Sequence, residues 1–317
     1  MERILIGDLS EILVGRGLPA QVLPPRPDRR LAALLVQPSV STVAEGVARR
    51  LAEEGTRTII HVLPDGEDAK TLMALEEVYS ALAGARMART DTVIGVGGGA
   101  ATDVAGFVAA TWMRGVEAVH LPTTLLGAVD AAVGGKTGIN LGGKNLVGAF
   151  WHPRRIIVDL EVLDRLPPEL KRQGAAEVIK AGLLADPGVV SAYRHHGADT
   201  PLEDVVTRAI RIKAEIVSQD FTETGRRGLL NLGHTVGHGV EFATGISHGE
   251  AVAIGLVAEG AISEKLLGFG DLATIKAALA ATGLPVRSPP ADRRRVLDLV
   301  ALDKKRFADR IRMALLE

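Results

Sequence analysis

Cysteine is absent from this chain, which excludes disulfides and thiolate metal ligands. Aromatic residues make up only 3%, too few for a surface that reads nucleic acid by stacking on its bases. Neither sign of charge prevails, with 37 Lys and Arg against 38 Asp and Glu in 317 residues. That balance gives no whole-chain attraction for nucleic acid or an anionic membrane. No apolar run of about twenty residues, the length of a membrane span, is free of charge and glycine. Met1-Glu2-Arg3-Ile4 does not begin a secretory signal. The expectation is a cytoplasmic protein whose partners include neither nucleic acid nor membrane. Apolar residues, at 47%, supply core for one or two domains, and the 36 glycines gather into specific clusters.

In the first half, short apolar runs alternate with stretches of helical period. Leu31–Val36, Thr58–Leu63, Thr92–Val96 and Ala118–Leu121 read as buried strands, with Arg3–Ile6 and Ile156–Asp159 as further candidates. Val43–Glu54, Asp68–Ala83 and Asp103–Thr111 read as the helices between them. This rhythm predicts a parallel sheet covered by helices. Past Pro167-Pro168 the period is helical almost throughout: Glu169–Leu184, Pro187–His195, Leu202–Gln219, Leu229–Thr244, Glu250–Leu267, Leu272–Thr282 and Asp292–Leu302. The expected architecture is an α/β N-terminal domain over residues 1–160, followed by a mostly α-helical domain over residues 161–317.

Several segments carry candidate chemistry. Gly95-Val-Gly97-Gly98-Gly99-Ala-Ala-Thr102-Asp103 follows a strand and opens a helix. Glycines there let backbone N–H groups approach a phosphate or a dinucleotide. Pro64-Asp65-Gly66-Glu67-Asp68-Ala69-Lys70 also follows a strand, and Glu67 is placed to accept from ribose hydroxyls, although a turn with acidic first-turn residues accounts for it alone. The run from Leu121 to Asn145 combines Thr123, Thr124, Asp130, Lys136, Asn140, Lys144 and Asn145 with small residues, a mixture suited to an anionic ligand.

The metal-binding signal lies in the second half. Asn231-Leu-Gly-His234-Thr-Val-Gly-His238, followed by His248-Gly-Glu250, places three of the eight histidines close together. His234 and His238 are four apart and share a helical face, so spacing alone pairs them as ligands. This is not H-E-x-x-H, because the glutamate base is absent. Glu177 and Lys180, in Gly174-Ala-Ala-Glu177-Val-Ile-Lys180, form an i,i+3 pair among small apolar residues. Glu177 is the best candidate for a carboxylate ligand, because a partly buried carboxylate requires a partner. One Glu and two His leave open positions for substrate oxygens on a metal.

Taken together, these segments resemble the 3-dehydroquinate synthase family of sugar-phosphate cyclases. The matching strings are PDGExxK, GVGGGAATDVAGFVAATWMRG, LPTTLLGAVDAAVGGKTGIN, GKNLVGAFWHP, AAEVIK, ETGRRGLLNLGHTVGH and SHGEAVAIG, in family order from Glu67 to Gly255. Asp303-Lys304-Lys305 adds a weaker match. The resemblance implies NAD in the N-terminal domain, one divalent metal (zinc or cobalt) and a homodimer. It implies the substrate 3-deoxy-D-arabino-heptulosonate 7-phosphate, oxidised transiently by NAD, stripped of phosphate, re-reduced and closed into a carbocycle. By the same resemblance Glu177, His234 and His248 hold the metal, and His238 passes to the substrate. Lys136, Asn145, His238 and Lys304 hold the phosphate, with Arg114 reaching it across the dimer. Lys213, Arg227 and Asn231 hold the carboxylate, and Asp130 and Lys180 order the hydroxyls. Glu67, Lys70, Gly97, Gly98, Gly99, Asp103, Thr123, Thr124, Asp130, Lys136 and Lys144 line the NAD site. The substrate's own phosphate is then available as base for its elimination.

The chain departs from the family strings at four points. The Lys136–Lys144 loop is one residue short, and Phe221 stands where an acid often follows Asp220. Gln37-Pro38-Ser39 replaces a Thr with Asn or Asp at the adenosine ribose. The sequence ends soon after Asp303-Lys304-Lys305, which predicts that a short C-terminal element is lacking. Two other classes remain: a metal-dependent polyol dehydrogenase using NAD, which would not need Lys136, Asn145, Lys213 and Arg227 as anion clamps, and an inactive NAD-binding module, which leaves the metal ligands unexplained.

Overall fold

The computed structural model describes residues 1–302, 306–307 and 310–317. Lys304, with Asp303 and Lys305, lies outside the described residues. The chain divides into two compact units, Met1–Arg165 and Leu166–Glu317.

The first unit runs β1 (Glu2–Ile6), β2 (Ser10–Gly15), β3 (Leu31–Val36), α1 (Ser41–Glu53), β4 (Arg57–Val62), α2 (Leu72–Gly84), β5 (Thr92–Gly97), α3 (Gly99–Thr111), β6 (Glu117–Pro122), β7 (Lys136–Ile139), β8 (Val147–Phe150), β9 (Arg155–Asp159) and α4 (Leu160–Asp164). Seven strands form one sheet in the order β1-β2-β9-β6-β5-β3-β4. Only β1 and β2 pair antiparallel within it, so the expected parallel sheet is present. The apolar pattern does not anticipate β2 or the separate β7–β8 hairpin.

Strand β3 is buried throughout and divides its side chains between two cores. Leu31, Ala33 and Leu35 pack with Leu75, Val78 and Leu82 of α2 and with Val104, Ala105 and Val108 of α3. Ala32, Leu34 and Val36 pack with Ala44, Val47 and Leu51 of α1 on the other face. Period-2 strands between period-3.6 helices require this arrangement. The chain passes from β3 outward to β4, then returns across β3 to β5. The switch point therefore lies between the carboxyl ends of β3 and β5, where open α/β sheets hold ligands.

His120 of β6 is buried beneath α3, and its Nδ1 has no hydrogen-bond partner. Burial pushes the imidazole down to about 4, outweighing a backbone hydrogen bond that raises it. The unfolded chain takes up a proton near pH 6.5 that the folded chain refuses. The contribution to stability is thus whole above about pH 6.5 and falls as pH drops toward 4, by on the order of 3 kcal/mol in all. In urea melts between pH 4 and 7, His120→Phe should show a shallower loss of stability on acidification than the parent; equal slopes would refute the assignment.

The second unit contains α5 (Pro168–Ala185), α6 (Pro187–His196), α7 (Leu202–Gln219), α8 (His234–Thr244), α9 (His248–Leu267), α10 (Leu272–Ala281) and α11 (Arg293–Leu302). Pro168 and Pro187 occupy first helical turns, where their missing N–H has no cost. Ser247 and Glu250 form a capping box that starts α9 at His248. The helix expected from Leu229 begins only at His234: a 3-10 turn spans Arg226–Asn231, and Gly233 at φ 79 breaks the path between them. His234 and His248 are therefore each the first residue of a helix.

Candidate active site

In the second unit, α5 buries Glu177 and Lys180 one turn apart. Lys180 Nζ is ion-paired with Glu177 Oε2. Glu177 Oε1 lies 3.3 Å from His234 Nε2 and 3.6 Å from His248 Nε2. One ligand atom from each of Glu177, His234 and His248 falls within 4.8 Å of the others. His234 Nδ1 is 3.1 Å from the Leu232 carbonyl, and His248 Nδ1 is 3.0 Å from Glu241 Oε2. Both partners are pure acceptors, so Nδ1 carries a proton in each ring and both Nε2 atoms face one carboxylate. The His238 ring is centred 5.3 Å from that of His234 and 6.0 Å from that of His248. Its ligand atom groups with Glu241 and His248 rather than with Glu177. Thus the i,i+4 pair shares a face, but the set around Glu177 takes its second imidazole from another helix.

This donor set fits a divalent ion. Both Glu177 oxygens are buried without a well-directed hydrogen bond, although three nitrogens crowd them. One carboxylate and two imidazoles suit zinc or cobalt and leave positions for substrate oxygens. Burial favours the neutral acid at Glu177, but the Lys180 charge, with the His234 and His248 rings that face the carboxylate, outweighs it and holds the carboxyl well below the usual range. Burial, and then Lys180, push His234 down to about 4, keeping it a neutral ligand. Burial also opposes a cation at His248, yet Glu177 and Glu241 hold it up at about 9.

Helix α9 also supplies Glu259, which is fully buried. Its carboxylate accepts from Gly233 N at 2.6 Å and Val236 N at 3.1 Å. It thereby satisfies N–H groups left open at the start of α8 and fixes the turn that carries His234. The sequence reading assigns it nothing; the available signal is an acid on the buried face of α9, three turns after His248.

Lys213 of α7 and Arg227 are buried cations. Arg227 donates to the Phe221 carbonyl at 2.7 Å, and its backbone N–H donates to Asp220 Oδ2 at 2.9 Å. Asp220 also accepts from the N–H groups of Thr224 and Gly225, so this loop folds around Asp220 with phenylalanine beside it. Asn231 Nδ2 donates to Glu223 at 2.9 Å.

In the first unit, α3 opens at Gly99 with no side-chain cap, leaving N–H groups for an anion. A Cβ at Gly97 would stand 2.6 Å from both Ala101 Cβ and Gln37 Oε1, so only glycine fits. Gln37, at the end of β3, accepts from Gly98 N at 2.7 Å. Its side chain is thus committed to the glycine turn at the sheet's switch point. Thr123 N donates to the Gly97 carbonyl at 2.8 Å, and Thr124 Oγ1 accepts from Gly127 N at 3.0 Å. The glycine-rich turn and the Thr123-Thr124 segment are therefore joined. This cradle fits a dinucleotide.

Beside it, buried Lys70 donates to Asp103 Oδ2 at 2.5 Å and to Asn145 Oδ1. Asn140 donates to exposed Glu67 at 2.7 Å and accepts from Asn145 N at 2.9 Å. Burial raises the Asp103 carboxyl to about 6, with Lys70 pulling the other way. Asn145 joins Lys70 and Asp103 in one network that sequence spacing does not reveal. Asp130 sits in the π-helical turn Gly127–Ala131, Lys136 is exposed at the start of β7, and Lys144 is half-buried in the hairpin loop. Arg114 is exposed at φ 67 in the turn after α3.

Residues 60–173 match the model of the 3-dehydroquinate synthase N-terminal region, and residues 174–306 match that of the C-terminal region. The chain belongs to the 3-dehydroquinate synthase family. Within this family, the 3-dehydroquinate synthase of Corynebacterium jeikeium (strain K411) is 42% identical over 90% of this chain and 80% of its own length. Among solved structures, 2-deoxy-scyllo-inosose synthase complexed with carbaglucose-6-phosphate, NAD+ and Co2+ matches with a TM-score of 0.87 at 26% identity, covering 96% of this chain and 87% of that one. ValA (2-epi-5-epi-valiolone synthase) from Streptomyces hygroscopicus subsp. jinggangensis 5008, with NAD+ and Zn2+ bound, matches with a TM-score of 0.81 at 26% identity, covering 92% and 85%. The resemblance drawn from the motifs and the α/β-plus-helical architecture are both borne out.

Proposed function

We propose that the chain converts 3-deoxy-D-arabino-heptulosonate 7-phosphate to 3-dehydroquinate and phosphate, using NAD and one zinc or cobalt ion. The observation that carries this reading is the convergence of Glu177, His234 and His248 in a chain whose two parts match the family's two regions. When bound, NAD supplies a reversible hydride acceptor and the metal a Lewis acid for substrate oxygens. Glu177, His234 and His248 hold the ion. Lys213, Arg227 and Asn231 bind the substrate carboxylate, which a polyol lacks. His238, Lys136, Asn145 and Lys304 bind phosphate, while Asp130 and Lys180 orient hydroxyls. Gly97, Gly98, Gly99, Thr123, Thr124, Glu67, Lys70, Asp103 and Lys144 serve NAD, joined by Asp130 and Lys136. Identity of 42% to a 3-dehydroquinate synthase, against 26% to the two other cyclases, supports this substrate over theirs.

The reading includes a cytoplasmic homodimer in which Arg114 of one copy serves the other. No helix among the described residues is long and apolar enough to cross a membrane. Phosphate release from the seven-carbon substrate should depend on metal, stop with a chelator and leave no net NADH. Steady NADH formation from glycerol would instead indicate a polyol dehydrogenase, and NAD binding with no turnover an inactive module.

A further inference from the structure

We infer that Glu241 is a positioning residue for the metal centre, holding His248 as an Nδ1-protonated imidazole with Nε2 free for the ion. This rests on the metal reading above. The two ligand imidazoles are braced differently. His234 donates to a neutral carbonyl, that of Leu232. His248 donates to a carboxylate, Glu241 Oε2, at 3.0 Å. His234, His238 and Glu241 stand at i, i+4 and i+7 on α8 and share one face. That stripe reaches across to the first residue of α9, whose ring orientation its own helix does not fix. The acid nearest in sequence, Glu250, is committed to the capping box: it accepts from Ser247 N at 3.0 Å and from Ser247 Oγ at 2.7 Å. Among the described residues, Glu177 and Glu241 are the acids in contact with His248, one at each ring nitrogen.

A carboxylate behind a ligating imidazole fixes its tautomer and raises its basicity, which strengthens its bond to a cation. Glu241 also falls within 4.8 Å of ligand atoms of His238 and His248, so direct coordination there is the competing geometry. It would require the same His248 Nδ1 that now donates to Glu241, and it would leave Glu177 with no ion.

The test is calorimetric titration of the full-length, metal-stripped protein with Zn2+, for wild type, E241Q and E241A, with NAD affinity as the control for folding. One ion per chain is expected in all three. E241A should weaken Kd about 10–100-fold. E241Q should weaken it less, because its amide oxygen still accepts from Nδ1. In nitrogen NMR of the metal-free protein, taken above about pH 9 where the neutral ring prevails, His248 should be Nδ1-protonated in wild type and a tautomer mixture in E241A. Wild-type affinity in both variants would overturn the inference, as would loss of one of two bound ions. Should E241A fail to fold, wild-type affinity in E241Q with an unchanged His248 spectrum would overturn it equally. A wild-type protein that binds no ion would instead overturn the metal reading itself.

Discussion

Exchanging Glu177 for glutamine is expected to strip the protein of metal while leaving NAD binding intact. The substitution keeps the shape of the side chain and removes its charge. That charge is what gathers Lys180, His234 and His248 around one buried point. Removing one partner from a buried ion pair costs about 3–5 kcal/mol, because the remaining charge stays where water does not reach. The two imidazoles alone offer a cation only neutral nitrogen. Zn2+ affinity should therefore fall at least about a hundredfold, and phosphate release should fall at least as far, since the pair energy and the lost ligand act on the same ion. Lys180→Met provides the contrast. It removes a cation that competes for the Glu177 carboxylate, so Zn2+ should bind as tightly as in wild type or more so. Metal content by elemental analysis and NAD affinity by titration separate the cases. Full metal occupancy in Glu177→Gln would exclude Glu177 as a ligand.

The parts of this molecule that were legible in its sequence share one property: the local pattern and the tertiary role coincide. Strand β3 is apolar on both faces because helices cover both, and α1 and α2 repeat their apolar residues at the period of the face they bury. The glycine run at 97–99 announces a close backbone approach, and the structure uses it for one. The parts that were not legible depend on distance across the fold. Spacing pairs His234 with His238, but a helix crossing brings His248 to Glu177 instead. Leu229 and Leu230 extend the helical period backwards, yet Gly233 in the left-handed region ends it. Gln37 stands where the family strings place a ribose contact, while its side-chain Oε1 accepts from Gly98 N. Glu241 and Glu259 receive no role from the sequence, and the packing of α8 and α9 shows where each carboxylate points.

Gly255→Ala should disable the centre from a position that contacts neither metal nor substrate. Gly255 lies in the middle of α9, where alanine is ordinarily the better helix former. Here a Cβ would stand 1.7 Å from the Gly233 carbonyl oxygen and 2.9 Å from Gly237 N. Both are backbone atoms, so no side chain can rotate away. The start of α8 must retreat from α9, and with it His234 from His248. The same displacement pulls Gly233 N and Val236 N from Glu259, leaving a buried carboxylate short of its donors. Overpacking costs about 1–3 kcal/mol, and an unsatisfied buried charged group adds about 1–3 kcal/mol or more. The expected sum is a loss of at least about 2 kcal/mol in urea unfolding, with weakened Zn2+ binding in whatever remains folded. Gly84→Ala, at the end of α2, is the control, because its Cβ meets nothing within 4 Å and its φ is ordinary. It should be neutral or stabilise by up to about 1 kcal/mol. If Gly255→Ala matched that control, the backbone contact between α8 and α9 could not be what holds the two imidazoles together.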